Sequence, residues 1–473
     1  MLFSPRVTFF ALFLFAFLSR SFAQQFSYGS LGLRRIYQST AINPTRLPDK
    51  ETTLYSFGLL PFVDFGFNAY VSSVSLGKIS QSVDANNLFS IDQLIKNMNS
   101  SPNSDMGMGL NTSLFHIYMP IGKKRDARLE ISQHLRADVT AVFLTKNLFQ
   151  TIFSADLVDQ RTIDLSNLRF RGIAYNEIAV GYTRPINSAW TVGGRVKLLT
   201  GIAFADFEAQ NMAVQLGQTN NQININGTLR TAGMAPLADS VNKTSMQAYK
   251  NVGVNPFKNL GMAVDIGATY YWKSDLNVFF GVNDLGFINW KNNPLQYTAQ
   301  VNNAQFSPIK IENGKSTSNI DTISTLFKNG STVKTTSFIS SLTSHWHVGL
   351  NWLPKQKYLQ WLHTTSMLDF YILQGRFLYP GATVAATANA GKWGEFSMNT
   401  GYNIGRYWRL GAGTSFNWFL GIPWLRFYLF SNDISPLFSA KNLNGIDINL
   451  GLNWTFKAKK GREMGTDDTI NAR

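Results

Sequence analysis

The chain has 473 residues, 44% hydrophobic and 14% aromatic, with only 15% charged, against the roughly 25% usual in soluble domains. The formal net charge of +15 gathers on no single helix or motif, which sets nucleic acid aside as a partner. With no cysteine, the chain has no thiol to carry a lipid anchor, and it suits passage through an oxidising compartment.

Residues 1–23 read as an export signal. Arg6 precedes an apolar run over 7–18 broken only by Thr8, and Ser21-Phe22-Ala23 is a small-x-small cleavage site. The run is too short for a membrane-crossing helix, which needs about 20 residues. No second run of that length follows, so residence in a membrane must come from strands, because only helices and closed barrels satisfy their backbone in hydrocarbon.

Residues 24–65 are poor strand material. They hold Arg34, Arg35, the phrase Ser39-Thr40-Ala41-Ile42-Asn43-Pro44 and then Leu47-Pro48-Asp49. A short segment marked by Asn43 and Pro44 ahead of a wide barrel is predicted to fold into the lumen as a plug. A periplasmic tail or a partial extra strand are the alternatives.

Over 66–456 apolar and polar residues alternate with period 2. Along 127–143, Ala127, Leu129, Ile131, Leu135, Ala137, Val139, Ala141 and Phe143 oppose Arg128, Glu130, Ser132, His134, Arg136, Asp138 and Thr140. Along 190–198, Trp190, Val192, Val196 and Leu198 oppose Thr191, Gly193, Arg195 and Lys197. Similar runs cover 260–272, 346–352 and 408–418, with Trp or Tyr at many ends, as an aromatic belt requires. Connections alternate too. Those near 120–126, 184–188 and 273–275 are short, and those over 77–105, 144–171, 207–258 and 291–340 are long and polar. This is the pattern of periplasmic turns and extracellular loops, with a first crossing near 66–76 and about 14 crossings in all. A soluble sandwich or lipocalin-like barrel would also alternate, but with its apolar face inward.

The last run, 448–456, pairs a greasy face with a small polar one. Its Asn449, Gly451, Trp454 and Phe456 match the C-terminal signal by which barrel assembly machinery recognises its clients. Residues 457–473 form a polar tail.

The faces predicted to point inward carry both signs: Arg128, Arg136, Arg195 and Lys197 beside Glu130, Asp138, Glu177, Asp265 and Asp447. Charges there must be paired or wet, and a mixed-sign network bracing a water-containing lumen is expected rather than the one-sign ring of an ion-selective channel. Surplus positive charge falls at Lys123, Lys124, Arg125, Lys355, Lys357, Lys457, Lys459, Lys460 and Arg462, predicted on the periplasmic rim, for lipid phosphates or an acidic periplasmic protein partner.

His345 and His347 share a strand face without a further cluster to complete a metal site. No nucleophile elbow, phosphate loop or HExxH appears. Neither a cofactor nor catalytic residues are expected.

Several phrases resemble an uncharacterised Bacteroidetes family of outer-membrane β-barrels, loosely similar to long-chain fatty-acid transporter barrels and to type IX secretion barrels. They are Ala41-Ile42-Asn43-Pro44 with Leu47-Pro48; Tyr175-Asn176-Glu177 running into Gly181-Tyr182; Thr191-Val192-Gly193-Gly194-Arg195-Val196-Lys197; Asp284-Leu285-Gly286-Phe287-Ile288 with Trp290; and Phe427 through Ser435-Pro436. The resemblance implies a membrane location and a fold, and no cargo. Fatty-acid transporters carry Asn-Pro-Ala in their hatch, whereas Thr45 follows Asn43-Pro44 here.

The sequence therefore predicts an all-β fold, a transmembrane antiparallel outer-membrane β-barrel of about 14 strands with an N-terminal plug-like segment. The divisions are a signal peptide (1–23), a plug-like segment (24–65), the barrel (66–456) and a tail (457–473). The expected function is passive transport of a small amphipathic ligand across the outer-membrane lipid. The alternative is a structural component of a secretion or surface-attachment machine.

Overall fold

A computed structural model describes residues 30, 31, 33, 36–45, 54–71, 81–82, 93, 96–97, 104–122, 126–143, 161–166, 168–216, 221–233, 255–306, 310–312, 315–317, 330–356, 358–373, 376–391, 393–403, 408–417, 421–422, 424–434 and 445–457. The expected signal peptide, Lys123 to Arg125 and the tail beyond Lys457 lie outside the described residues.

The strands in chain order are β1 (Leu54–Val71), β2 (Ser104–Ile121), β3 (Ala127–Phe143), β4 (Arg161–Asp164), β5 (Arg169–Pro185), β6 (Trp190–Leu216), β7 (Asn221–Ala232), β8 (Leu260–Lys273), β9 (Leu276–Trp290), β10 (Leu295–Phe306), β11 (Lys310–Glu312), β12 (Lys315–Thr317), β13 (Ser331–Thr335), β14 (Phe338–Ser341), β15 (Ser344–Trp352), β16 (Leu362–Leu373), β17 (Arg376–Asn389), β18 (Gly394–Asn403), β19 (Trp408–Asn417), β20 (Leu425–Ser431) and β21 (Gly445–Lys457). Fourteen of them form one antiparallel ring: β1, β2, β3, β5, β6, β8, β9, β15, β16, β17, β18, β19, β20 and β21, with β21 pairing back onto β1. Closure leaves the wall no free edge. Leu54 pairs with Lys457, so the first and last strands meet at one rim. The turns 186–189 and 274–275 lie at that same end, called below the short-turn end.

The wall is inside-out relative to a soluble barrel. Val196 (66% exposed), Met262 (59%) and Leu368 (60%) point outward with Ile266, Leu198 and Leu350, whereas Arg195, Lys197, Asp265, His347 and Asp369 on the same strands are buried inward. Trp190, Tyr270, Trp272, Trp361, Trp393, Trp424 and Trp454 are exposed near the short-turn end. There Trp190 packs on Tyr270 with centroids 4.8 Å apart, and Trp424 stacks on Trp454 at 4.5 Å. An apolar outer band with an aromatic girdle is the surface hydrocarbon requires. It excludes the soluble sandwich.

Two features depart from the sequence reading. The first strand starts at Leu54, ahead of Gly66, so residues 54–65 join the wall instead of the plug-like segment. Alternation is lost there because the stretch is almost continuously apolar and contains Pro61. That proline gives no amide to the ladder, and the register of β1 slips against both neighbours, between Leu59 and Asp64 where it faces β2 and between Phe57 and Phe65 where it faces β21. The second departure is in the long connections. β6 runs on past the ring to Leu216 and continues as a projecting sheet with β4, β7, β10 and β13. Val214, Ile223, Ile225, Ala299 and Val301 form its own small core, which is why a region of polar appearance holds strands.

Candidate functional site: a charged belt in the barrel lumen

Three layers fill the barrel. The middle one is a belt of buried charge. Lys197 Nζ contacts Asp284 Oδ1 and lies 2.9 Å from Asp265 Oδ1 and 3.6 Å from Glu177 Oε1. Arg136 pairs with Asp284 at 3.2 Å and Glu177 at 3.4 Å. Arg195 Nε donates to Glu130 Oε1 at 2.8 Å and its Nη1 to Asp265 Oδ2 at 3.2 Å. These side chains come from β3, β5, β6, β8 and β9, neighbours in the ring, and on the first four of these strands period 2 turns them inward.

Six of the charges expected in the lumen thus converge: Glu130, Arg136, Glu177, Arg195, Lys197 and Asp265. Three do not join them. Arg128 sits nearer the short-turn end, its Nη1 donating to the Ala127 carbonyl at 3.0 Å. Asp138 lies further toward the long loops, where its Oδ2 is buried without a hydrogen bond. Asp447 serves elsewhere, accepting from the Asn432 amide and side chain and from Asn449 Nδ2.

Sequence reasoning missed Asp284. It has φ of 58°, and the β8–β9 register shifts beside it between Val264 and Ile266. That bulge buries Asn283 and Asp284 together on the inside, and the Asp284 amide donates to Asp265 Oδ1 at 2.7 Å. The signal lay in Asn283-Asp284 followed by Gly286, residues that tolerate a left-handed conformation, inside an otherwise regular strand.

On the short-turn side lies the N-terminal segment, with its 3-10 turn Tyr37–Ala41. It reaches opposite parts of the wall. Gln38 exchanges two hydrogen bonds with Asn453 on β21, and Leu33 and Ile36 pack with Tyr428 and Phe430 on β20. Leu31 and Ile42 pack with Phe279, Met367 and Ala385 on β9, β16 and β17. Arg195 Nη2 donates to the Thr40 carbonyl at 2.6 Å, and Asn283 Nδ2 to those of Ala41 and Ile42 at 3.2 and 3.0 Å. Thr183 donates to the Pro44 carbonyl, and Thr45 meets Thr269 hydroxyl to hydroxyl. Asn43 turns its own chain, accepting from the Thr45 amide at 2.9 Å. The described residues of this stretch, 30, 31, 33 and 36–45, therefore form a plate inside the barrel that touches opposite parts of its wall. Beside them the His345 and His347 rings lie tilted to one another with centroids 5.2 Å apart, and His345 Nε2 lies 3.6 Å from Asp369.

The third layer, toward the long loops, is apolar: Ile173, Tyr175, Leu199, Phe204, Ile288, Trp290 and Leu342 cluster inward. Trp290 is fully buried, and its Nε1 donates to Ser340 at 2.8 Å. Between plate and wall remains a cavity of about 110 Å³, where Arg136, Arg195, Glu130 and Asp64 meet Ile42, Leu110 and Phe430. Asp64 there accepts a hydrogen bond from the Tyr428 hydroxyl. Among the described residues no group of three or more His, Cys, Asp or Glu is placed to hold a metal.

Residues 52–432, almost the whole barrel, match the family described as "Family of unknown function (DUF5723)". The chain belongs to this family. No curated protein matches this DUF5723 chain in sequence. Among solved structures it is similar to the toluene transporter TbuX of Ralstonia pickettii, at 9% identity and a TM-score of 0.43, covering 92% of this chain and 99% of that one. It is similar also to a Pseudomonas aeruginosa FadL homologue, at 8% identity and 0.44, covering 93% and 98%. The toluene transporter TodX of Pseudomonas putida gives 8% and 0.38, covering 91% and 96%. At these values the likeness says nothing of what the DUF5723 chain carries.

Of the expected insertion signal, Asn449, Gly451 and Trp454 lie on β21 as the alternation requires, Trp454 outward in the girdle. Phe456 pairs with Tyr55 in the ladder, its side chain being outside the described residues.

Proposed function

We propose that this protein is an outer-membrane channel that passes a small amphipathic solute and is held closed by its N-terminal segment. The observation that carries the reading is a plate of residues 30–45 bonded to opposite sides of an inside-out barrel. A barrel needing only mechanical stability could fill its interior with side chains from its own wall. Here a separate stretch of chain crosses it, held by four of its backbone carbonyls, by the side chains of Gln38, Thr40 and Thr45, and by the packing of Leu31, Leu33, Ile36 and Ile42. The amphipathic character follows from the layers. A solute must pass a charged belt, which disfavours a bare hydrocarbon, and an apolar cluster, which disfavours a compact ion.

On this reading the export signal directs the chain to the periplasm. Outer-membrane lipid then covers the apolar band, and the barrel assembly machinery takes the strand bearing Asn449, Gly451, Trp454 and Phe456. The structural or assembly alternative relies on a basic rim around Lys123, Lys124 and Arg125, outside the described residues, and no observation favours it.

The test uses the purified mature protein in planar bilayers and liposomes, after an unboiled gel has shown the mobility shift of a folded barrel. The intact protein is expected to be nearly silent. A variant lacking residues 24–49 should conduct and should swell liposomes in small amphipathic solutes. A deletion that folds yet stays silent would remove the channel reading.

A further inference from the structure

We propose that Arg195 is the latch of this channel, one guanidinium that ties the charge belt of the wall to the segment closing the lumen. The inference rests on the reading of residues 30–45 as a plug and goes on to say what holds it. All three nitrogens of Arg195 are engaged, and they divide between two bodies. Nε and Nη1 hold Glu130 and Asp265, both of the wall. Nη2 holds the Thr40 carbonyl at 2.6 Å and the Thr40 hydroxyl at 2.8 Å, both of the segment. When the segment leaves, Arg195 keeps two carboxylate partners and stays in the wall. Only its third nitrogen faces the lumen, so release uncovers no unpaired buried charge, and both states are physically admissible.

The wall is also shaped for the segment. A Cβ added at Gly193 would stand 2.6 Å from the Pro44 carbonyl oxygen, and one at Gly267 would stand 3.1 Å from Thr45 Cγ2 and 3.2 Å from Pro44 Cδ. These two glycines face the lumen on adjacent strands and form a recess into which residues 44–45 fit. Asn283 donates to two successive carbonyls, Ala41 and Ile42. The wall thus grips the backbone at Thr40, Ala41, Ile42 and Pro44. Arg195 is the point where that grip meets the ion pairs of the belt.

The experiment compares single-channel open probability for the full-length mature protein and three variants, each first shown folded by the gel shift. Arg195→Lys keeps the charge but cannot span Glu130, Asp265 and Thr40 at once. Gly193→Ala crowds the recess without touching a charge. Asn283→Ala removes two donors. Each should raise open probability about tenfold or more. The chain has no cysteine, so Thr45→Cys with Thr269→Cys, added to Arg195→Lys and oxidised, should close the channel again, and reduction should reopen it. If folded Arg195→Lys and Gly193→Ala stay as closed as the parent while the deletion of 24–49 conducts, the plug stands and the latch is overturned. If that deletion is also silent, both fall. Should Arg195→Lys fail to fold, Thr40→Val, which removes the hydroxyl held by Arg195 Nη2 and leaves the belt untouched, decides the question: closure equal to the parent's overturns the latch.

Discussion

Replacing Lys197 with methionine tests whether the belt is sealed or wet. Its ammonium serves Glu177, Asp265 and Asp284, and all four side chains are at most 3% exposed. The belt sets three cations, Arg136, Arg195 and Lys197, against four carboxylates, Glu130, Glu177, Asp265 and Asp284. The substitution leaves two against four. Breaking a buried pair by removing one partner costs ~3–5 kcal/mol, and a lysine shared by three carboxylates belongs at the upper end. Lys197→Met is therefore expected to destabilise the barrel by about 5 kcal/mol. Adding Asp284→Asn restores the single-charge excess at two against three and should recover more than half of the loss. The measurement is urea unfolding in detergent micelles, with the folded fraction read from the gel shift and Val196→Ala, one residue away on the outer face, as control. A cost below ~1 kcal/mol for Lys197→Met would mean that water already solvates these carboxylates, and the sealed belt would be refuted.

Other expectations follow from the same geometry. Val196→Arg places a charge on the lipid face and should cost ~2–4 kcal/mol near mid-membrane, measured by the same unfolding, whereas Val196→Leu should be neutral. Trp290→Ala removes the largest buried side chain of the outer cluster. It should cost ~3–5 kcal/mol and, combined with deletion of 24–49, enlarge the solutes that swell liposomes. Tyr428→Phe leaves Asp64 without its hydroxyl donor in the cavity wall and should cost ~1–3 kcal/mol, with fold and gel shift retained. Trp454→Ala removes one ring of the stacked pair at the girdle and should slow membrane insertion of the unfolded chain, followed as the rate at which the shifted band appears.

Much of the wall was legible because each inward polar residue alternates with an outward apolar one. Arg195, Lys197, Asp265, Glu130 and Glu177 could be assigned to the lumen with no structure at all. Asp284 could not, since the bulge that turns it inward breaks the period that identifies the others. The opening of β1 was hidden for a related reason, an apolar run with Pro61 in which neither face is polar. The projecting sheet was obscured by its Asn- and Thr-rich outer face. At the plate, Asn43 and Pro44 drew notice as residue types. Four of the groups that hold the segment, the carbonyls of Thr40, Ala41, Ile42 and Pro44, belong to the backbone and leave no trace in side-chain identity.

The reciprocal pair between Gln38 and Asn453 joins residues 415 positions apart. The segment at one end is translated before any strand, and its partner on β21 is translated after nearly all of them. Contacts of such range form late, because the entropy of closing so long a stretch must be met first. The segment's bonds to β21, β9 and β6 can form only once those strands are in place. The seam between Leu54 and Lys457 can thus close whether or not the segment is seated. Whatever assembles this barrel receives its stopper first and seats it last, so faulty placement of the segment would show itself as a leak through a closed wall.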